Sequence, residues 1–143
     1  MEDARIVAAQ ALAPLLDAFH SVNGRVLRRV FRIYVHGCLD RLILQFDQLS
    51  LAIGAQPDTD TIEVMVEKSA ATVTGDFVDA TNSLPWSRFV GEPFGWGWIA
   101  MNQQGFCDGV LLSFQGITPE VLLNVVASSL KENVIIKQRT DTL

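Results

Sequence analysis

A chain of 143 residues, 49% hydrophobic and 19% charged, is long enough to bury a sizeable core as one domain without a disulfide or a metal. Its formal charge of −5 argues against phosphate-backbone binding, which relies on clustered positive charge, and no apolar run reaches the length of a membrane span. The acidic start Met1-Glu2-Asp3 lacks the pattern of a secretory leader, and Cys38 and Cys107 suit reduced thiols, so the expectation is a cytoplasmic, bacterial single domain over 1–143 with neither a nucleic-acid nor a membrane partner.

Residues 3–20 carry Ile6, Val7, Leu12, Leu15, Leu16 and Phe19 at helical spacing, with Pro14 predicting a kink or two short helices and Asn23-Gly24 the exit turn. From Arg25 the period becomes two. Four short antiparallel strands are predicted as a meander, with turns at His36-Gly37 and after Gln56-Pro57-Asp58. Residues 25–41 hold five arginines against Asp40 alone, whereas 42–130 hold ten acids against Lys68 and Arg88. That basic strand reads as a solvated edge, as one side of internal pairs, or as a face for an acidic partner. The segment 68–93 reads mostly as an excursion, with a short strand in Thr72–Val78.

Residues 85–114 concentrate the aromatic character: all three tryptophans, four of eight phenylalanines and five of ten glycines. Strands are predicted at 94–101 and 106–114 around the turn Asn102-Gln103-Gln104-Gly105. A three-residue loop with Gly105 left-handed puts Phe94, Trp96, Trp98, Val110, Leu112 and Phe114 on one face, which is then core. A two- or four-residue loop would move the register by one, and an exposed tryptophan platform is the competing reading. Asp108, set opposite Ala100 on the favoured core face, reads as a turn cap or as an acid at the rim of an aromatic pocket beside Asn102. Thr118-Pro119-Glu120 then predicts the start of a helix over 118–131, and Val134–Ile136 a last strand.

The fold expectation is therefore α+β: a six- or seven-stranded, mainly antiparallel sheet with an N-terminal and a C-terminal helix packed on it. Chemical signatures are lacking. His20, His36, Cys38 and Cys107 match no zinc spacing, so no metal site is assigned. Cys107 with His20 or His36 as a nucleophilic pair has no support beyond composition, and Asp58, Asp60 and Glu63 fail the calcium-loop pattern at Ile62. No cofactor motif and no catalytic residue emerge, and a non-enzymatic role is favoured.

Leu44-Gln45-Phe46, Leu49–Ile53 and Asp58–Val64, together with Trp86, Gly91, Trp96-Gly97-Trp98 and Asn102–Gly109, resemble a family of small bacterial domains of unknown function. In that family a tryptophan-rich strand leads through an Asn-x-Gln-Gly turn to an aromatic and an acid. The resemblance covers residues 42–115 and implies a small cytosolic α+β domain without an established activity. Immunity proteins that neutralise toxins are similar in size and style. The leading expectation is a non-catalytic binding domain for a protein partner, immunity-type in its most concrete form. Its contact surface is expected to combine Trp86 and Phe94, as exposed anchors, with Asn102, Gln104 and Asp108. The alternative is a small-molecule or enzymatic site at the rim near Asp108, Asn102, His36 and Cys107. A homodimer through an open sheet edge is a third reading.

Overall fold

The computed structural model describes residues 4–56, 58–68 and 76–135, with side chains from residue 12 onward. Among the described residues one α-helix, α1 (Ala4–Val22), precedes nine strands: β1 (Arg29–Val35), β2 (Cys38–Gln45), β3 (Leu49–Gln56), β4 (Thr61–Lys68), β5 (Asp76–Asp79), β6 (Phe94–Met101), β7 (Cys107–Phe114), β8 (Val121–Val126) and β9 (Ser129–Val134). The strands form two antiparallel sheets, ordered β4-β3-β2-β1-β5 and β6-β7-β8-β9, packed face to face. A single sheet flanked by two helices is thereby corrected to a mostly-β two-layer architecture with one α-helix among the described residues.

The meander β1 to β4 follows the expected alternation. Leu42, Leu44, Leu51, Ile53, Ile62 and Val64 point into the space between the sheets, where they meet Val110, Leu112, Val121 and Leu123. α1 buries Leu15, Ala18, Phe19 and Val22, a stripe at helical spacing, and spans the side of the sandwich between β4 and β6. Pro14 lies within this helix without ending it. The opposite side is closed by the excursion after β5, which buries Trp86 and Phe89, with Phe89 stacked on Phe114 at 4.8 Å. The strand expected in Thr72–Val78 is in part found as β5; residues 72–75 lie outside the described residues.

The expected helix over 118–131 is instead the hairpin β8–β9. Val121, Leu123 and Val125 alternate into the core while Leu122 and Asn124 lie on the other face. The run VLLNVV suits either period, and the open flank of β7 decides it by offering a ladder of hydrogen bonds. The turn that reverses the chain is Ala127-Ser128, both left-handed (φ 51° and 66°), a conformation usually signalled by Asn-Gly. Asp60 compensates from a neighbouring turn, its Oδ1 accepting the Ser128 N–H at 2.8 Å and the Ser128 hydroxyl at 3.1 Å.

Candidate functional site: the outer face of the four-stranded sheet

The aromatic hairpin β6–β7 has the predicted turn and an unpredicted middle. The Asn102 N–H donates to the Phe106 carbonyl and the Gly105 N–H to the Asn102 carbonyl, both at 3.0 Å, with Gly105 at φ 86°. This is the three-residue loop. Met101 then pairs with Cys107, but Ala100 pairs with Gly109, so Asp108 is an extra residue in β7. Further along, Trp96 pairs with Ser113 and Phe94 with Phe114, so Gly95 is an extra residue in β6. The two bulges lie on opposite strands and cancel. Both ends of the hairpin keep the expected register, while the stretch between them slips by one: Val110 and Leu112 stay inward on β7 and the side chains of β6 change face.

The consequence is a correction: Trp96 and Trp98 are not packed in the core. Gly97 and Ile99 turn inward in their place. A Cβ on Gly97 would lie 2.5–2.7 Å from ring carbons of Phe19, so the glycine makes room for α1 to lie on β6. Trp96 is 55% exposed and stacks on the partly buried Trp98, with centroids 6.5 Å apart and planes 25° from parallel. The register continues this row across the sheet, from Trp98 to Leu111, Leu122 and Asn133. No described helix or strand packs over this face.

The expected anchors lie elsewhere. Trp86 is 0% and Phe94 2% exposed, so neither can meet a partner at the surface. Phe94 sits between Phe19, Phe46 and Phe114. Trp86 is part of a clasp that sequence reading did not find. Its indole N–H donates to Glu132 Oε2 at 2.8 Å, while Arg32 holds the same carboxylate at both oxygens, Nε to Oε1 at 2.6 Å and Nη2 to Oε2 at 3.0 Å. Arg32 Nη2 also donates to the Leu84 carbonyl at 3.0 Å. The hydrogen bond to Glu132 raises the Arg32 pKa above its ordinary value, against the opposing effect of burial. Arg32 and Glu132 are a hundred residues apart and on different sheets, so no local pattern could have announced the pair. The arginine-rich strand is thus not merely a solvated edge: Arg41 pairs with Glu63 at 3.5 Å and Arg28 with Asp47 at 3.1 Å.

Asn102, Gln104 and Asp108 do come together. The Asn102 side-chain oxygen accepts the Gln104 N–H at 2.9 Å and the Phe106 N–H at 3.3 Å, and its amide donates to Asp108 Oδ2 at 3.3 Å. Asp108 is therefore the bulge residue braced by the turn, not a member of the core face opposite Ala100. Cys107 lies beneath, half-buried in a cavity of about 250 Å³ with Leu12, Leu15, Ile62, Met101 and Phe106. Burial pushes its thiol pKa up, which is the wrong direction for a nucleophile. His36 is exposed in the β1–β2 turn and, among the described residues, makes no hydrogen bond with Asn102, Cys107 or Asp108. No group of three or more His, Cys, Asp or Glu placed to hold a metal occurs among the described residues. Nor is any described helix long and apolar enough to cross a membrane. A further cavity of about 440 Å³ brings Arg88, Glu92 and Glu120 beside Phe89 and Phe114, a lining of mixed charge without a nucleophile–base pair.

No curated protein and no solved structure matches this chain. A sequence-family profile does, over residues 11–139, which is 129 of the 143 residues. With nine-tenths of its length so covered, the chain belongs to DUF6334, a family of unknown function.

Proposed function

We propose that this protein is a non-catalytic binding domain that takes a protein partner on the outer face of its four-stranded sheet. The observation that carries the reading is the Trp96–Trp98 stack, with Trp96 55% exposed, on a face no described element covers. An indole left in water contributes little to folding, whereas tryptophans dominate the energetics of contact surfaces because they bring large, rigid area at low entropic cost. Leu111 and Leu122 extend the apolar row behind them, and the Asn102, Gln104 and Asp108 turn at the end of the same hairpin supplies a polar rim. Immunity-type neutralisation of the partner is the concrete form this reading takes.

The test compares the wild-type chain with Trp96→Ala/Trp98→Ala as bait in affinity capture from the source cells. The wild type should retain a protein partner that the double variant loses, with the folded state of the bait checked by circular dichroism. Undiminished capture by a folded variant would assign the contact elsewhere. A partner that proves to be a second copy, seen by light scattering of the purified chain, would replace the heterologous reading with self-association.

A further inference from the structure

The sequence contains a single Asn-Gly pair, Asn23-Gly24, at the point where α1 hands over to the sheet. Such a pair can modify itself. The backbone nitrogen of the glycine attacks the asparagine Cγ, a C–N bond closes a five-membered succinimide, and the side-chain nitrogen leaves as ammonia. Water then opens the ring to aspartate or isoaspartate. Glycine is the most permissive successor because no Cβ obstructs the approach.

Here the reagents are present but restrained. Asn23 is exposed, so water reaches its amide, and Gly24 is held left-handed at φ 76° as the residue just past the helix. The attacking nitrogen is engaged, because the Gly24 N–H donates to the Phe94 carbonyl at 2.9 Å. That bond belongs to a short ladder joining 24–27 to 91–94. Phe94 N–H donates back to the Arg25 carbonyl at 2.8 Å, and Leu27 N–H donates to the Glu92 carbonyl at 3.0 Å. Leu27 and Phe94 are core residues, so the nitrogen can lose its proton and turn toward Cγ only if this ladder opens.

We infer that Asn23 is a self-modification site gated by the fold. The docked ladder suppresses ring closure, and local opening at 24–27 permits it. The inference is independent of the binding reading, although its product lands nearby. Deamidation would set a carboxylate at the negative end of the α1 dipole, in the wall of a cavity of about 250 Å³ that Asn23 shares with Phe19, His20 and Trp96.

The experiment incubates the full chain in mildly alkaline buffer, folded and in concentrated urea, and follows residue 23 by peptide mass spectrometry for replacement of ammonia by water. The folded chain should react at least about tenfold more slowly, since opening a ladder anchored in the core is a minor-state event. Asn23→Gln should remain unmodified under both conditions, identifying the reacting residue. Equal rates in the two states would overturn the gating, and an unmodified Asn23 in urea would overturn the site.

Discussion

Replacing Glu132 by glutamine should cost far more than neutralising any other paired acid on the surface, and its magnitude can be worked from the clasp. The Glu132 carboxylate accepts three hydrogen bonds, two from Arg32 and one from the Trp86 indole, and the ion pair's side chains are only 17% and 13% exposed. An amide offers one oxygen. Placed at the Oε2 position it keeps Arg32 Nη2 and Trp86 Nε1, but its NH₂ then faces the Arg32 Nε–H, donor against donor. One charge-assisted bond is lost, worth about 1.5–3 kcal/mol. The guanidinium also loses its counter-charge, which for a fully buried pair brings the total to about 3–5 kcal/mol. Residual water access lowers that figure, so about 2–4 kcal/mol is expected.

The assay is urea unfolding followed by tryptophan fluorescence, where a slope of about 1–3 kcal/mol per molar turns this loss into a midpoint shift of roughly one molar or more. Asp47→Asn is the internal reference. The Arg28–Asp47 pair has side chains 56% and 60% exposed, and its loss should cost under about 1 kcal/mol and vanish in high salt. If Glu132→Gln unfolds at the same midpoint as Asp47→Asn, the clasp contributes nothing and the account of how the sheets are joined at this side is wrong.

Two further outcomes follow from the packing. Gly97→Ala should destabilise the protein by about 1–3 kcal/mol, because the added methyl overlaps the Phe19 ring; pairing it with Phe19→Ala should make the two changes strongly non-additive in a double-mutant cycle, and simple additivity would remove Phe19 as the reason for the glycine. Cys107 should react with iodoacetamide much more slowly than exposed Cys38, because burial raises its pKa. The sign for stability follows: as pH rises, the unfolded thiol ionises first, so native stability is intact below the ordinary thiol range and declines above it, and Cys107→Ala should flatten that decline.

The first helix, the four-strand meander and the loop 103–105 were legible because each is announced within a few residues: a buried stripe at helical spacing, alternation, a glycine where the backbone turns left-handed. The hairpin β8–β9 was not. Its Thr-Pro-Glu opening resembles a helix start, its apolar run fits both periods, and its turn uses Ala127-Ser128 where asparagine and glycine would have been the signal. The candidate face was the less favoured reading of the two for a different reason. The turn and the pairing at both ends of the hairpin are as expected, but a bulge at Asp108 and a compensating one at Gly95 reverse the face of β6 between them.

What the amino-acid order settled by itself was therefore part of the local repertoire: the buried stripe of α1, the alternation of β1 to β4 and the turn at 103–105. What the tertiary structure alone decided was direction. Phe19 needs a site without a side chain on β6, Gly97 supplies it, and the two indoles flanking that glycine are sent to the solvent side, while Trp86, in the excursion after β5, donates its indole N–H inside to a carboxylate forty-six residues away. Burial of large side chains is favourable wherever it occurs, but only the packed neighbours fix which face of a strand can accept them.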